Sequence, residues 1–172
     1  SLASDPRFKF SLLPQVQNLT AQQLILQAGF TPTDALHVLG RFNCWDTEGA
    51  RLGAKLLAAQ ANLSPEEFCR QVVTGVSDRV AAELISKVLS KETTLPNWER
   101  EPAAVALLTR AFDGSHCAEL DCQLTLKQPI VAIGAPVEAY LPRTAQQLHT
   151  ELLIPPHAEV ANAVGAVVGA SA

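Results

Sequence analysis

Pro129-Ile130-Val131-Ala132-Ile133-Gly134-Ala135-Pro136, followed after a helix-like interval by Leu152-Leu153-Ile154-Pro155-Pro156, carries the pattern that decides the fold. Ile130 to Ile133 is an unbroken apolar run stopped by a glycine, as expected of a buried strand. The interval to Leu152 places Tyr140, Leu141 and Leu148 at helical positions, with Pro142 inside it predicting a break or a late start. After the two prolines, small residues predict a helix from about Ala158 to Ala170. Strand, helix, strand, helix predicts a small α/β layer. Just upstream, Leu120, Cys122, Leu124 and Leu126 alternate with polar neighbours and predict a further strand.

Everything before this layer reads as helix. Thr20 and Gln23 form a capping-box pattern for a short helix built on Leu24, Ile25 and Ala28 and stopped by Gly29. Thr31-Pro32-Thr33-Asp34 predicts a second, with Thr31 as cap, Pro32 at the first position and Gly40 closing it. From Asp46 to about Ala61 a third helix presents Ala50, Leu52, Gly53, Leu56 and Leu57, and Asn62 sits where a C-cap belongs. Ser64-Pro65-Glu66-Glu67 starts the longest, expected to reach Lys91. Phe68, Val72, Val76, Val80, Leu84 and Val88 recur every four residues along it and predict its core-facing stripe, joined by Val73, Ala81, Ile85 and Leu89. A polar connection interrupted by Pro96 leads to a last helix, Pro102 to Phe112, ended by Asp113-Gly114. The expected fold class is a helix-rich α/β protein: an extended lead-in over 1–18, a helical region over 19–95 and a small α/β region over 96–172.

Apolar residues make up 48% of the 172 and charged residues 17%, enough burial to fold and too little charge for disorder. A formal net charge of −4 without any Lys/Arg run excludes a nucleic-acid partner at this level. No run of membrane-spanning length and no signal-peptide pattern are present, so the expectation is a cytoplasmic chain with no membrane partner. Cys44, Cys69, Cys117 and Cys122 are scattered and expected free; His116, Cys117 and Cys122 lack the close pair of a structural zinc site, so no metal is expected. The chain opens Ser1-Leu2-Ala3 and contains no methionine, which suggests a piece of a longer protein.

Chemistry-bearing residues are few. Gly134, Ala135 and Pro136 form a turn between strand and helix, where backbone can approach a nucleotide; an ordinary turn is the competing explanation. Asn162 is a polar amide among small apolar residues and wants hydrogen-bond partners if buried. Asp34 and His37 share a helical face, but capping accounts for Asp34. Arg41 and Trp45 read as surface or interface, and His157 as exposed. No nucleophile elbow, phosphate loop, HExxH or dinucleotide fingerprint occurs.

Two strings together resemble the hydantoinase/oxoprolinase family. One is Phe30-Thr31-Pro32-Thr33-Asp34-Ala35-Leu36-His37-Val38-Leu39-Gly40-Arg41. The other runs from Pro129-Ile130-Val131-Ala132-Ile133-Gly134-Ala135-Pro136 to Pro155-Pro156-His157-Ala158-Glu159-Val160-Ala161-Asn162-Ala163-Val164-Gly165-Ala166. The resemblance implies the adenosine-side lobe of the actin, sugar-kinase and heat-shock ATPase fold. It also implies a nucleotide-binding turn at Gly134, Ala135 and Pro136 and a hinge helix carrying Asn162 and Gly165. Where the family has adjacent glycines at the turn, this chain has Gly134 followed by Ala135 and Pro136. The family opens cyclic amides such as hydantoins or 5-oxoproline using ATP and Mg²⁺. The DxGGTxTD-like phosphate loop is absent from these 172 residues, so the expectation is a C-terminal piece that is inactive alone and needs no cofactor itself. The partners expected on this basis are the remainder of the parent chain or a second copy pairing through the open strand edge. The alternative is a non-enzymatic helical interaction domain on the same fold.

Overall fold

The computed structural model describes residues 17–24, 29–44, 47–92, 101–113, 119–161 and 165. Two compact units divide the chain, Ser1–Phe30 and Thr31–Ala172.

In the first unit a short helix over 17–21 ends where a helix was expected to begin. Gln23 adopts a left-handed φ of 57°. Its N–H donates to the Thr20 carbonyl at 3.0 Å, and the Leu24 N–H reaches Leu19 at the same distance, closing the helix by satisfying its last carbonyls. Gln22 Nε2 donates to Asn18 Oδ1 one turn back at 3.0 Å, so Thr20 lies inside the helix and does not cap it. Ile25 and Ala28 lie outside the described residues.

The second unit opens with α1, Pro32–Val38, whose ends follow the sequence closely. The Thr31 Oγ1 accepts from the Asp34 N–H at 3.2 Å, and Asp34 Oδ2 accepts from the Thr31 N–H at 2.7 Å. Gly40, at a φ of 66°, donates to the His37 carbonyl at 3.1 Å, and the Arg41 N–H reaches Leu36 at 2.9 Å. That pair of bonds requires the left-handed residue a glycine provides. Thr31→Ala is expected to cost about 1 kcal/mol and to lower the melting temperature by about 2–4 °C in calorimetry, without altering the folded secondary structure.

Helix α2, Glu48–Ala61, stops at Asn62, left-handed at a φ of 55°. Its inward face differs from the expected one. Ala50, Ala54 and Ala58 are buried, whereas Leu52 and Leu56 are 56% and 59% exposed. Alanines spaced by four make a smooth stripe that lets α2 approach its neighbours closely, and the leucines fall on the other side of the helix.

Helix α3, Pro65–Leu89, is the spine: α1, α2 and a later helix, α5 (Val137–Gln147), all pack on it. Ser64 Oγ accepts from the Glu67 N–H at 3.2 Å, while the Glu67 carboxylate turns to Arg70 at 2.8 Å. The helix ends two residues before Lys91. Its buried line runs along one edge of the expected stripe, through Val73 and Ala81, which belonged to it, and through Cys69 and Ser77, which did not. Cys69, Val73, Ser77 and Ala81 are buried, Phe68, Val72, Val76, Val80 and Leu84 are half-buried, and Val88 is exposed. With three helices against α3, the innermost positions suit small side chains and the larger ones flank the contacts. Burial, and then the nearby Glu66 charge, push the Cys69 thiol above its ordinary pKa. The described cysteines, Cys44, Cys69 and Cys122, are free thiols.

After α4 (Pro102–Asp113), the predicted strand at 120–126 has no ladder partner among the described residues. Its alternation is nonetheless physical. Cys122, Leu124 and Leu126 are half-buried between exposed neighbours, and the Leu126 N–H donates to the Leu148 carbonyl at 2.8 Å. The α/β layer is a single strand-helix-strand unit. β1 (Ile130–Val131) pairs in parallel with β2 (Leu152–Leu153), Ile130 opposite Leu152, with α5 between them in sequence. The buried strand expected over Ile130–Ile133 is buried on one face. Ile130 and Ala132 are buried, but Val131 and Ile133 are 62% and 53% exposed, because helices cover only one side of this small sheet.

Helix α5 passes through Pro142 without the expected break. Pro142 and Glu138, one turn earlier, are both exposed, so the carbonyl that loses its donor lies on the solvent side. On the buried side a polar clasp ties α5 to α3: Ser77 Oγ donates to the Tyr140 carbonyl at 2.9 Å, and Thr144 Oγ1 to the Ser77 carbonyl at 3.1 Å. Ala81, Ile130, Ala145 and Leu148 form the core between them, with Phe112, Leu124, Leu126 and Leu152 packed against it. Beyond Pro156 the described residues begin with a 3₁₀ turn, Ala158–Val160, in place of a regular α-helical start.

Candidate functional site

A crevice of about 930 Å³ opens where both parallel strands end. The turn from Gly134 to Ala139 forms one wall, Ile154 to Glu159 a second, and Arg41 and Phe42 from beyond α1 contribute the third. In open α/β layers the carboxyl ends of parallel strands are where ligands bind, because chain leaves the sheet there and exposes backbone groups. Gly134 adopts a φ of 101°, which favours glycine, and its N–H donates to the Ala158 carbonyl at 2.6 Å, tying two walls together. An added Cβ at Gly134 would meet no heavy atom within 4 Å, so backbone conformation, not crowding, is what calls for glycine. Ala135 and Pro136 are joined by a cis peptide bond, and Pro136 occupies the N-cap of α5 without a side-chain cap. The Val137 and Glu138 N–H groups therefore begin the helix without help from a capping side chain.

All three turn residues singled out from the sequence thus line the crevice. Gly165 does not: it is exposed, and an added Cβ there would meet nothing within 4 Å. Asn162 lies outside the described residues. Asp34 is engaged in the cap of α1, as its position suggested. His37 is buried, with Nδ1 at 2.7 Å from the Thr33 carbonyl and its ring edge-on to Phe42 at 5.3 Å, which seats Phe42 beside the crevice.

The ionisable crevice residues, Arg41, Glu138, His157 and Glu159, escaped a site assignment from sequence. The signal for Arg41 was its place at the end of the Phe30–Arg41 string, and His157 and Glu159 lay in the second string; Glu138 carried none. His157 is exposed as expected, yet its left-handed φ of 61° turns the chain along the crevice wall. Apolar walls from Phe42, Ile154, Pro155 and Pro156 suit a flat ring, and the Glu138 and Glu159 carboxylates are acceptors for hydroxyl or amino groups. Among the described residues no group of three His, Cys, Asp or Glu side chains could hold a metal ion, and no helix is long and apolar enough to cross a membrane.

Comparison of the chain with protein-family models, with curated proteins and with solved structures gave no match.

Proposed function

We propose that the crevice takes the nucleoside end of ATP, and that the chain is a C-terminal piece of an ATP-dependent cyclic-amide hydrolase of hydantoinase/oxoprolinase type. One observation carries this: the two strings that resemble the family, far apart in sequence, converge on one crevice, Arg41 from the first and Gly134 to Pro136 and Pro155 to Glu159 from the second. In such an enzyme ATP would activate the amide oxygen by phosphorylation. The residues here would hold the adenosine, while phosphate and Mg²⁺ ligands would come from the remainder of the parent chain. Titration of the chain with adenosine and ADP, followed by calorimetry, tests the binding. Both are expected to bind with similar affinity, since the walls described carry two carboxylates and no phosphate loop. Gly134→Val, which forces a β-branched residue to positive φ, is expected to weaken adenosine binding by about tenfold or more. No saturable heat with either ligand would refute the nucleoside site. No magnesium-dependent release of phosphate from ATP is expected of the chain alone, and turnover above a blank would refute the division of labour.

A second reading, a non-enzymatic interaction domain, draws on Leu52 and Leu56, exposed one turn apart on α2, and on Val131 and Ile133 on the uncovered sheet face. A second copy pairing at the sheet edge, expected of a piece of the parent fold, predicts a concentration-dependent mass in sedimentation.

A further inference from the structure

We propose that a second, polar pocket binds a small carboxylate, with Arg110 as the cation that receives it. The pocket encloses about 330 Å³ and shares no residue with the crevice at Gly134. It lies where the last turn of α4, the extended segment at Asp121 and the C-terminal end of α5 meet; its charged lining is Arg110, Arg143 and Asp121, and the imidazole of His149 adds a polar ring.

The two arginines differ in what already answers them. Arg143 donates through Nε and one terminal nitrogen to Asp78 Oδ1 at 3.3 and 3.2 Å, and the Nε2 of the buried Gln147 donates to the same oxygen. Its charge is therefore matched and its plane is set. Arg110 is half-buried, donates from one nitrogen to the Ala106 carbonyl at 3.2 Å, and has no carboxylate partner among the described residues. Asp121 lines the same pocket, but its Oδ1 accepts from the Cys122 N–H at 2.8 Å. A half-buried guanidinium with no ion-pair partner among the described residues keeps most of its five donors to offer. A planar carboxylate matches that fork with two parallel hydrogen bonds, while Gln146 and His149 stand on the rim for a second polar group. The volume sits at the lower end for small-ligand sites, so the fitting ligand is a short-chain acid.

Succinate is the probe, followed by backbone amide shifts of the whole chain in an NMR titration. Saturable shifts confined to Arg110, Asp121 and residues 143–149 at the C-terminal end of α5 are expected, with a Kd of about 1 mM or tighter. Arg110→Gln, checked for folding by circular dichroism, is expected to weaken binding about tenfold or more. Should that variant fail to fold, succinamide, the neutral analogue, decides the matter on the unaltered chain: it is expected not to bind. No saturable shift, succinamide binding as well as succinate, inorganic phosphate binding equally tightly, or a folded Arg110→Gln protein with undiminished affinity would each overturn the assignment. Adenosine affinity at the Gly134 crevice is read in the same samples, so the two sites stand or fall separately.

Discussion

Ala81→Asp is expected to lower stability by about 4 kcal/mol or more, enough to unfold a domain of ordinary stability. Ala81 is fully buried on α3 and clusters with Ile130, Ala145 and Leu148, with apolar side chains packed against the cluster, so a carboxylate there is cut off from water. The same replacement at Val76 or Val80, on the periodic stripe visible in the sequence, is expected to cost distinctly less. Both positions are half-buried, and a carboxylate there can turn toward water. Urea denaturation of the three variants orders them. A Val76→Asp protein less stable than Ala81→Asp would show that the buried line has been misplaced by one residue.

Leu148→Ala is expected to cost about 2–5 kcal/mol, the range for removing a fully buried leucine and leaving part of its space empty. Leu148 is 1% exposed. Its side chain joins α3, α5 and β1 in one cluster, and its backbone carbonyl accepts the Leu126 N–H that fastens the extended segment. Leu148→Met, which keeps the volume, is expected to cost under about 1.5 kcal/mol. Similar urea midpoints for the two variants would mean that the site collapses around alanine and that the cluster is not the core of the α/β layer.

Some elements were legible because their causes are local. Thr31 with Asp34, Ser64 with Glu67, Gly40 and Asn62 mark helix ends through hydrogen bonds or dihedral preferences spanning a few residues, and each marks an end in the structure. Local cues misled where two of them competed. Thr20 and Gln23 match a capping box, but Gln23 in a left-handed conformation closes a helix already running. Pro142 reads as a breaker, yet an exposed position tolerates the lost hydrogen bond when the opposite face of the helix is held by Thr144 and Gln147. Of the candidate site, the Gly134 turn was visible as a glycine after an apolar run. Arg41 and the two glutamates were not, because a charged residue on a helix end or turn looks the same whether or not a cavity lies beside it.

The sequence by itself determined that the chain is mostly helical, where several helices begin and end, and that a small strand-helix-strand layer lies near its C-terminal end. Only the tertiary structure decided which side of each helix faces inward. On α2 and α3 the alanines, Cys69 and Ser77 line the contacts while larger residues flank them, since close approach of packed helices rewards small side chains regardless of hydrophobic period. It also decided that one sheet face is open and that Arg41 and Gly134 line the same crevice. Those outcomes depend on contacts between residues distant in the chain, and no local spacing encodes them.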